Sequence, residues 1–185
     1  MKYINFLKEK IKGYSIFLLF RLEFESLFFG LFSLIPTTLG VIVRAIIVKL
    51  FFKRCDGFAW LQPRVTIVHS DRIKVGKNFG VNSGTYINGV GEIEIGNYVL
   101  LGNNVTISSG VHPIEGDTPT VFERKCIPKK IIIEDDVWIG AGSVIMPGVR
   151  LAKGTVVGAN STVTKDTIEY SVVVGSPAKI IKKRI

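Results

Sequence analysis

Cysteine and histidine each occur only twice in 185 residues. Cys55 and Cys126 lie far apart, in no metal-ligand or redox spacing, so neither a disulfide framework nor a cysteine-based metal site is expected. Two cysteines and no small-residue cleavage site after an apolar stretch point to a reducing compartment, the cytoplasm. Acids are short as well: 15 Asp and Glu against 24 Lys and Arg, a net charge of +9. No unbroken apolar run reaches the roughly 20 residues that a bilayer span requires. The nearest, residues 26–43, carries no charge, but Gly30, Pro36, Thr37, Thr38 and Gly40 interrupt it.

What the chain has instead is a period of six. From Ile133 the positions Ile139, Ile145, Leu151, Val157 and Val163 are all branched aliphatics. Two places ahead of each stand Ile131, Val137, Ser143, Val149, Thr155 and Ser161, small or apolar throughout. Gly142, Gly148 and Gly154, then Asn160, occupy another phase. An α-helix at 3.6 residues per turn would scatter these aliphatics around its surface, and a long strand would be broken by recurrent glycine. The pattern predicts a triangular coil: one short side and one corner per six residues, aliphatics stacked inward, Gly or Asn at corners that need positive φ. The same ladder runs earlier through Val75, Val81, Ile87 and Ile93. It slips by two at Asn88-Gly89-Val90-Gly91, where a bulge or small loop is expected, and resumes at Ile95, Leu101 and Ile107, with Asn78, Gly84, Gly96 and Gly102 as punctuation. Residues 112–130 break the ladder altogether. A long insertion in a regular solenoid is usually functional.

The predicted fold class is therefore all-β, a parallel β-helix of hexapeptide repeats over residues 55–185, with a helical extension over 1–54 and a basic C-terminal tail. The extension holds nine Lys and Arg against three Glu. Pro36 should divide it into helices of about 14–34 and 39–53. Two readings stand side by side: contact with an anionic membrane surface, helped by Lys49, Lys53 and Arg54, or a cap on the end of the coil. The charge sits on an apolar segment, a composition that suits lipid, and no nucleic-acid-binding motif is present.

Tyr86-Ile87-Asn88, Gly110-Val111-His112-Pro113-Ile114, Val137-Trp138-Ile139-Gly140-Ala141, Val156-Val157-Gly158-Ala159, Val163-Thr164-Lys165-Asp166 and Gly175-Ser176-Pro177-Ala178-Lys179 follow one another in order. Through these segments, some 110 residues, the chain resembles the hexapeptide-repeat acyltransferases, and within them the maltose and nodulation-type O-acetyltransferases. The resemblance implies a left-handed coil, a homotrimer with active sites between subunits, and acetyl-CoA as co-substrate. The apolar extension resembles a subset that serves bacterial capsule, lipopolysaccharide or exopolysaccharide synthesis.

His112 stands where the coil gives way to the loop, and neutral imidazole can take a proton from a sugar hydroxyl near pH 7. The resemblance gives it the general-base role in direct acetyl transfer from the thioester. Glu115 or Asp117 could orient the ring. Asn88 matches a family asparagine beside the reacting centre, although a corner asparagine tolerating left-handed backbone fits equally. Trp138 replaces a small corner residue and is expected beside the substrate cleft or in a subunit interface. The matching positions for coenzyme A are Ala141 and Ala159 along pantetheine, and Thr164, Lys165, Lys179 and Lys182 toward the phosphates. A backbone N–H near Gly140 or Ala141 is a candidate oxyanion donor. No metal is expected: the γ-class carbonic anhydrases of this fold use three histidines. His69 precedes the regular ladder and reads as structural. The implied activity is O-acetylation of a sugar hydroxyl, with N-acylation of an amino sugar as the alternative.

Overall fold

The structure is a computed structural model that describes residues 15–116 and 120–184. Asp117 and the lysines at 2, 8, 10 and 12 lie outside the described residues. The chain opens with α1 (Ile16–Ser33) and α2 (Thr38–Phe51). Each begins at a hydroxyl cap: Ser15 Oγ accepts from Leu18 N and Thr37 Oγ1 from Gly40 N. The break at Pro36 falls where the sequence places it, within a residue or two of the expected ends.

Five coils follow. The first is β1 (Arg54–Cys55), β2 (Ala59–Leu61) and β3 (Thr66–Val68); the second is β4 (Ile73–Val75), β5 (Phe79–Val81) and β6 (Tyr86–Asn88). The third is β7 (Ile93–Ile95), β8 (Leu100–Leu101) and β9 (Thr106–Ser108). An antiparallel pair, β10 (Gly110–Val111) and β11 (Ile127–Pro128), then closes the base of the long loop. The fourth coil is β12 (Ile131–Ile133), β13 (Trp138–Ile139) and β14 (Val144–Ile145), the fifth β15 (Arg150–Leu151), β16 (Val156–Val157) and β17 (Thr162–Val163). A hairpin, β18 (Ser171–Gly175) and β19 (Ala178–Lys183), continues one side. Successive coils pair in parallel along three faces, in the orders β1-β4-β7-β12-β15, β2-β5-β8-β13-β16-β18 and β3-β6-β9-β14-β17, and β19 adds to the second face antiparallel to β18.

The inward stack is dry and aliphatic. On the second face Leu61, Val81, Leu101, Ile139, Val157 and Val173 are all buried. The predicted inward positions from Ile133 to Val163 are buried without exception. So are the residues two places ahead, where Ser143 Oγ donates to the Gly158 carbonyl at 2.8 Å and Thr155 and Thr167 hydroxyls meet at 2.8 Å. Gly142, Gly148, Gly154 and Asn160 all take positive φ, as their phase predicts. Gly96 and Gly102 differ. In their coil positive φ falls on Tyr98 and Asn104, and the glycines allow the next coil to approach: a Cβ on Gly102 would lie 2.6 Å from Ala141 N.

The coils are not equal in length. Ile67, Ile87 and Ile107 are 20 residues apart, whereas Ile139 to Val157 and Ile145 to Val163 are 18. The two extra residues sit at the corner between the third face and the first, in His69–Arg72 and in residues 89–92, the slip read from the sequence. The third coil carries its long insertion at the same corner, so one edge of the prism receives every elongation.

The helices close the open end. Arg44, 1% exposed, donates to the carbonyls of Leu61, Phe32 and Ile35 at 3.0, 2.8 and 2.9 Å. Glu25, also buried, accepts from Ser70 N at 3.2 Å, and Arg64 N donates to the Ser33 carbonyl. Strand edges that would template another chain are thus covered. For residues 15–54, the described part of the extension, the inner face of the two helices forms the cap. Among the described residues no helix is long and apolar enough to cross a membrane.

Candidate active site

His112 is the first residue past β10 and is exposed. The strand pair below it fixes its root: Val111 lies opposite Ile127, Lys129 N donates to the Ser109 carbonyl at 2.7 Å, and Ser109 Oγ accepts from Gly91 N at 2.7 Å. The segment beyond is held by Arg124, a residue the sequence did not single out. Its buried guanidinium donates to the Pro113 carbonyl at 3.0 Å and to the Gly116 carbonyl. Arg124 therefore anchors the backbone on the far side of His112, and only the folded loop brings it there. Thr120 and Glu123 close a turn in the loop, with Glu123 Oε2 accepting from Thr120 N and Oγ1 at 3.0 and 2.8 Å. These two bonds pull the Glu123 carboxyl below its ordinary range, the hydroxyl bond being the larger cause.

Neither His112 nor Glu115 makes a side-chain hydrogen bond among the described residues, and Glu115 is exposed. Asn88 ends β6, one coil below, opposite Ser108 on β9. Its Oδ1 accepts from Val90 N at 3.1 Å and its carbonyl accepts from the Ser109 hydroxyl at 2.9 Å. The carboxamide oxygen thus shapes the corner below the His112 loop, which leaves the amide NH₂ without a protein partner among the described residues. His69 sits at the matching corner of the first coil with φ +56°, and burial, then Arg72, lowers its pKa.

The other predicted positions fall into three groups. Ala141 and Ala159 are exposed and stacked at the corner between the second and third faces, joined through the Asn160 N–H to the Ala141 carbonyl at 2.8 Å. Thr164 and Lys165 follow β17 at the next corner, the edge that also carries the His112 loop. Lys179 and Lys182 lie on β19, opposite Val174 and Val172. Lys165, Lys179 and Lys182 are exposed and make no ion pair among the described residues. Trp138, 51% exposed, faces outward between Leu100 and Val156, above a groove of about 440 Å³ lined also by Tyr98, Asp136 and Arg184. A larger groove of about 540 Å³ runs along the first face. Its Glu94 is already paired: Lys130 from outside the groove and Lys74 within it grip the carboxylate at 2.8 and 2.9 Å and hold the carboxyl down at about 2. It contains no histidine. Among the described residues no group of three His, Cys, Asp or Glu is placed to hold a metal ion.

Residues 130–165 match the family described as bacterial transferase hexapeptide (six repeats). The galactoside O-acetyltransferase of Lactococcus lactis is 39% identical over 58% of this chain, and the match spans only 54% of that enzyme's length. The galactoside O-acetyltransferase of Escherichia coli is 34% identical, across 76% of this chain and 68% of its own. The solved structure of a galactoside acetyltransferase in complex with coenzyme A superposes with a TM-score of 0.83 at 28% identity, covering 93% of this chain and 84% of that one. The six-residue ladder, the corner insertion that carries His112 and these likenesses together place the chain in the hexapeptide-repeat acetyltransferase family.

Proposed function

We propose that the protein is an acetyl-CoA-dependent O-acetyltransferase of a sugar hydroxyl. The substrate class is a precursor of bacterial cell-surface polysaccharide or lipopolysaccharide, and the enzyme works as a homotrimer at the cytoplasmic face of the inner membrane. The observation that carries the reading is the position of His112. It is an exposed imidazole at the root of the one long insertion, held from below by β10 and β11 and from beyond by Arg124. His112 takes the proton of the acceptor hydroxyl as the oxygen attacks the thioester carbonyl; the carbon–sulfur bond breaks and coenzyme A leaves with the proton. The Gly140 N–H is taken up by the Val157 carbonyl at 2.8 Å, so the backbone N–H of Ala141 is the one that stabilises the oxyanion. Asn88 borders the reacting centre through its amide NH₂, Glu115 steadies the ring, and Trp138 lines the acceptor cleft. Pantetheine follows the small side chains of Ala141 and Ala159, with Thr164, Lys165, Lys179 and Lys182 toward the phosphates. The coenzyme A complex of the related galactoside acetyltransferase supports the donor, and the two galactoside enzymes support a sugar acceptor.

The test is His112→Ala. Turnover of acetyl-CoA against a panel of free and lipid-linked sugars should fall by roughly 10²–10⁴, the usual worth of a positioned base. Coenzyme A affinity and sedimentation should stay at wild-type values. Undiminished turnover would reject the assignment.

A further inference from the structure

The two-helix cap has two apolar faces, and the coil uses one. Phe29, Ile47 and Val48 are buried in one cluster with Ala59, Leu61 and Val65 of the first coil, and Val41 and Ala45 are buried too. On the opposite side of α1, Phe17, Phe20, Phe24, Leu27 and Leu31 step by 3, 4, 3 and 4 residues and so line one face. On α2, Leu39, Ile42, Ile46 and Leu50 do the same. These nine large side chains are 45–78% exposed. A contiguous patch of this kind on a water-soluble surface marks a binding site.

Charge decides what binds there. Glu23 is the one exposed acid on the two helices, because Glu25 is buried and α2 has none. Lys49 is exposed in the last turn of α2, and Arg64 is exposed on the first coil, where its N–H meets the Ser33 carbonyl; neither makes an ion pair among the described residues, whereas Lys53 and Arg54 pair with Glu92 and Asp56. Residues 1–54 as a whole carry nine basic residues against three acidic ones. A second copy of the cap would bring cations against cations, whereas anionic headgroups complement an apolar centre with a basic rim. Insertion across the bilayer is not available to the folded cap. It would strip Arg44 of three carbonyl partners and Glu25 of Ser70, the bonds that tie both helices to the coil.

We propose that the outward face of α1 and α2 is a docking surface for an anionic lipid bilayer, on which the helices lie flat in the interface with the coil standing away from it. This specifies the partner for the peripheral location proposed above and uses no part of the acetyl-transfer chemistry, so each can fail alone. Apolar burial supplies the affinity, and each rim cation adds about 1 kcal/mol near a negatively charged surface, roughly a fivefold gain.

The experiment is flotation of the full chain with vesicles of phosphatidylcholine, with and without phosphatidylglycerol. The protein should float with the anionic vesicles, and the bound fraction should fall in high salt. Phe20→Glu with Phe24→Glu should lower partitioning at least tenfold, with the thermal midpoint and acetyl-CoA turnover in solution unchanged. Lys49→Glu, a milder surface change, should weaken binding to anionic vesicles severalfold. Wild-type protein that floats with neither vesicle overturns the proposal. So does equal binding by the doubly substituted variant. Self-association that the double substitution abolishes, without vesicle binding, would assign the face to a second copy.

Discussion

The coil and the junction with its cap solve burial in opposite ways. Inside the coil most inward positions are branched aliphatics stacked on their like one coil away, the buried Ser and Thr among them are uncharged, and the backbone groups are used up by the neighbouring coils. The end of the stack has no further coil to pair with. There the protein buries charge: Arg44 serves three carbonyls and Glu25 one amide, and the Arg21 guanidinium donates to the Phe51 carbonyl at 2.5 Å. Repetition makes a dry core possible because each unit satisfies the next. Ending the repetition requires polar groups where apolar ones would leave backbone carbonyls unpaired.

Breaking the dry side should cost most. Ile139→Ala, in mid-stack between Leu101 and Val157, should lower unfolding free energy by about 2–5 kcal/mol, measured by chemical denaturation. Breaking the polar side should cost somewhat less. Arg44→Ala orphans three carbonyls but also relieves the burial of a charge, and a loss of about 2–3 kcal/mol is expected. Proteolysis should then cut first between the helices, since the cap rather than the coil is loosened. The smallest effect sharpens the contrast and has the opposite sign. Burial outweighs the Ser70 and Arg21 contributions and pushes the Glu25 carboxyl above its ordinary 4.5. A raised folded-state pKa means that Glu25 favours the fold fully below pH 4.5 and that this contribution is lost as pH rises through the folded value. Glu25→Gln, which keeps an acceptor for Ser70 N, should therefore raise the thermal midpoint at neutral pH and remove that part of the acid-to-neutral decline. A midpoint that falls at pH 7 would show that the ionised carboxylate stabilises the junction.

Most of the coil was legible because its code is one-dimensional. Each six residues repeat one inward aliphatic and one corner, so Ile133 to Val163 and the positive-φ phase of Gly142, Gly148, Gly154 and Asn160 could be read without knowing any contact. The slip was legible for the same reason, as a two-residue change of phase read at residues 88–91, one residue ahead of the 89–92 corner. Gly96 and Gly102 were read as corner residues, but their requirement is closeness to the next coil. His112 was visible as the residue at the end of the ladder. Arg124 was not, because it acts on the Pro113 and Gly116 carbonyls only once the loop has folded back.

The sequence alone determined the period, the inward stack, the site of the insertion and the division of the apolar extension at Pro36. Those follow from local spacing and backbone preference. Only the tertiary structure decided which side of each helix meets the coil, that Arg44 and Glu25 are buried, and that a second apolar face remains outward. An apolar residue on a helix in which nearly every position is apolar carries no signal of direction. Direction comes from the unpaired edge of the first coil, which draws the two charged side chains inward and turns the opposite face out.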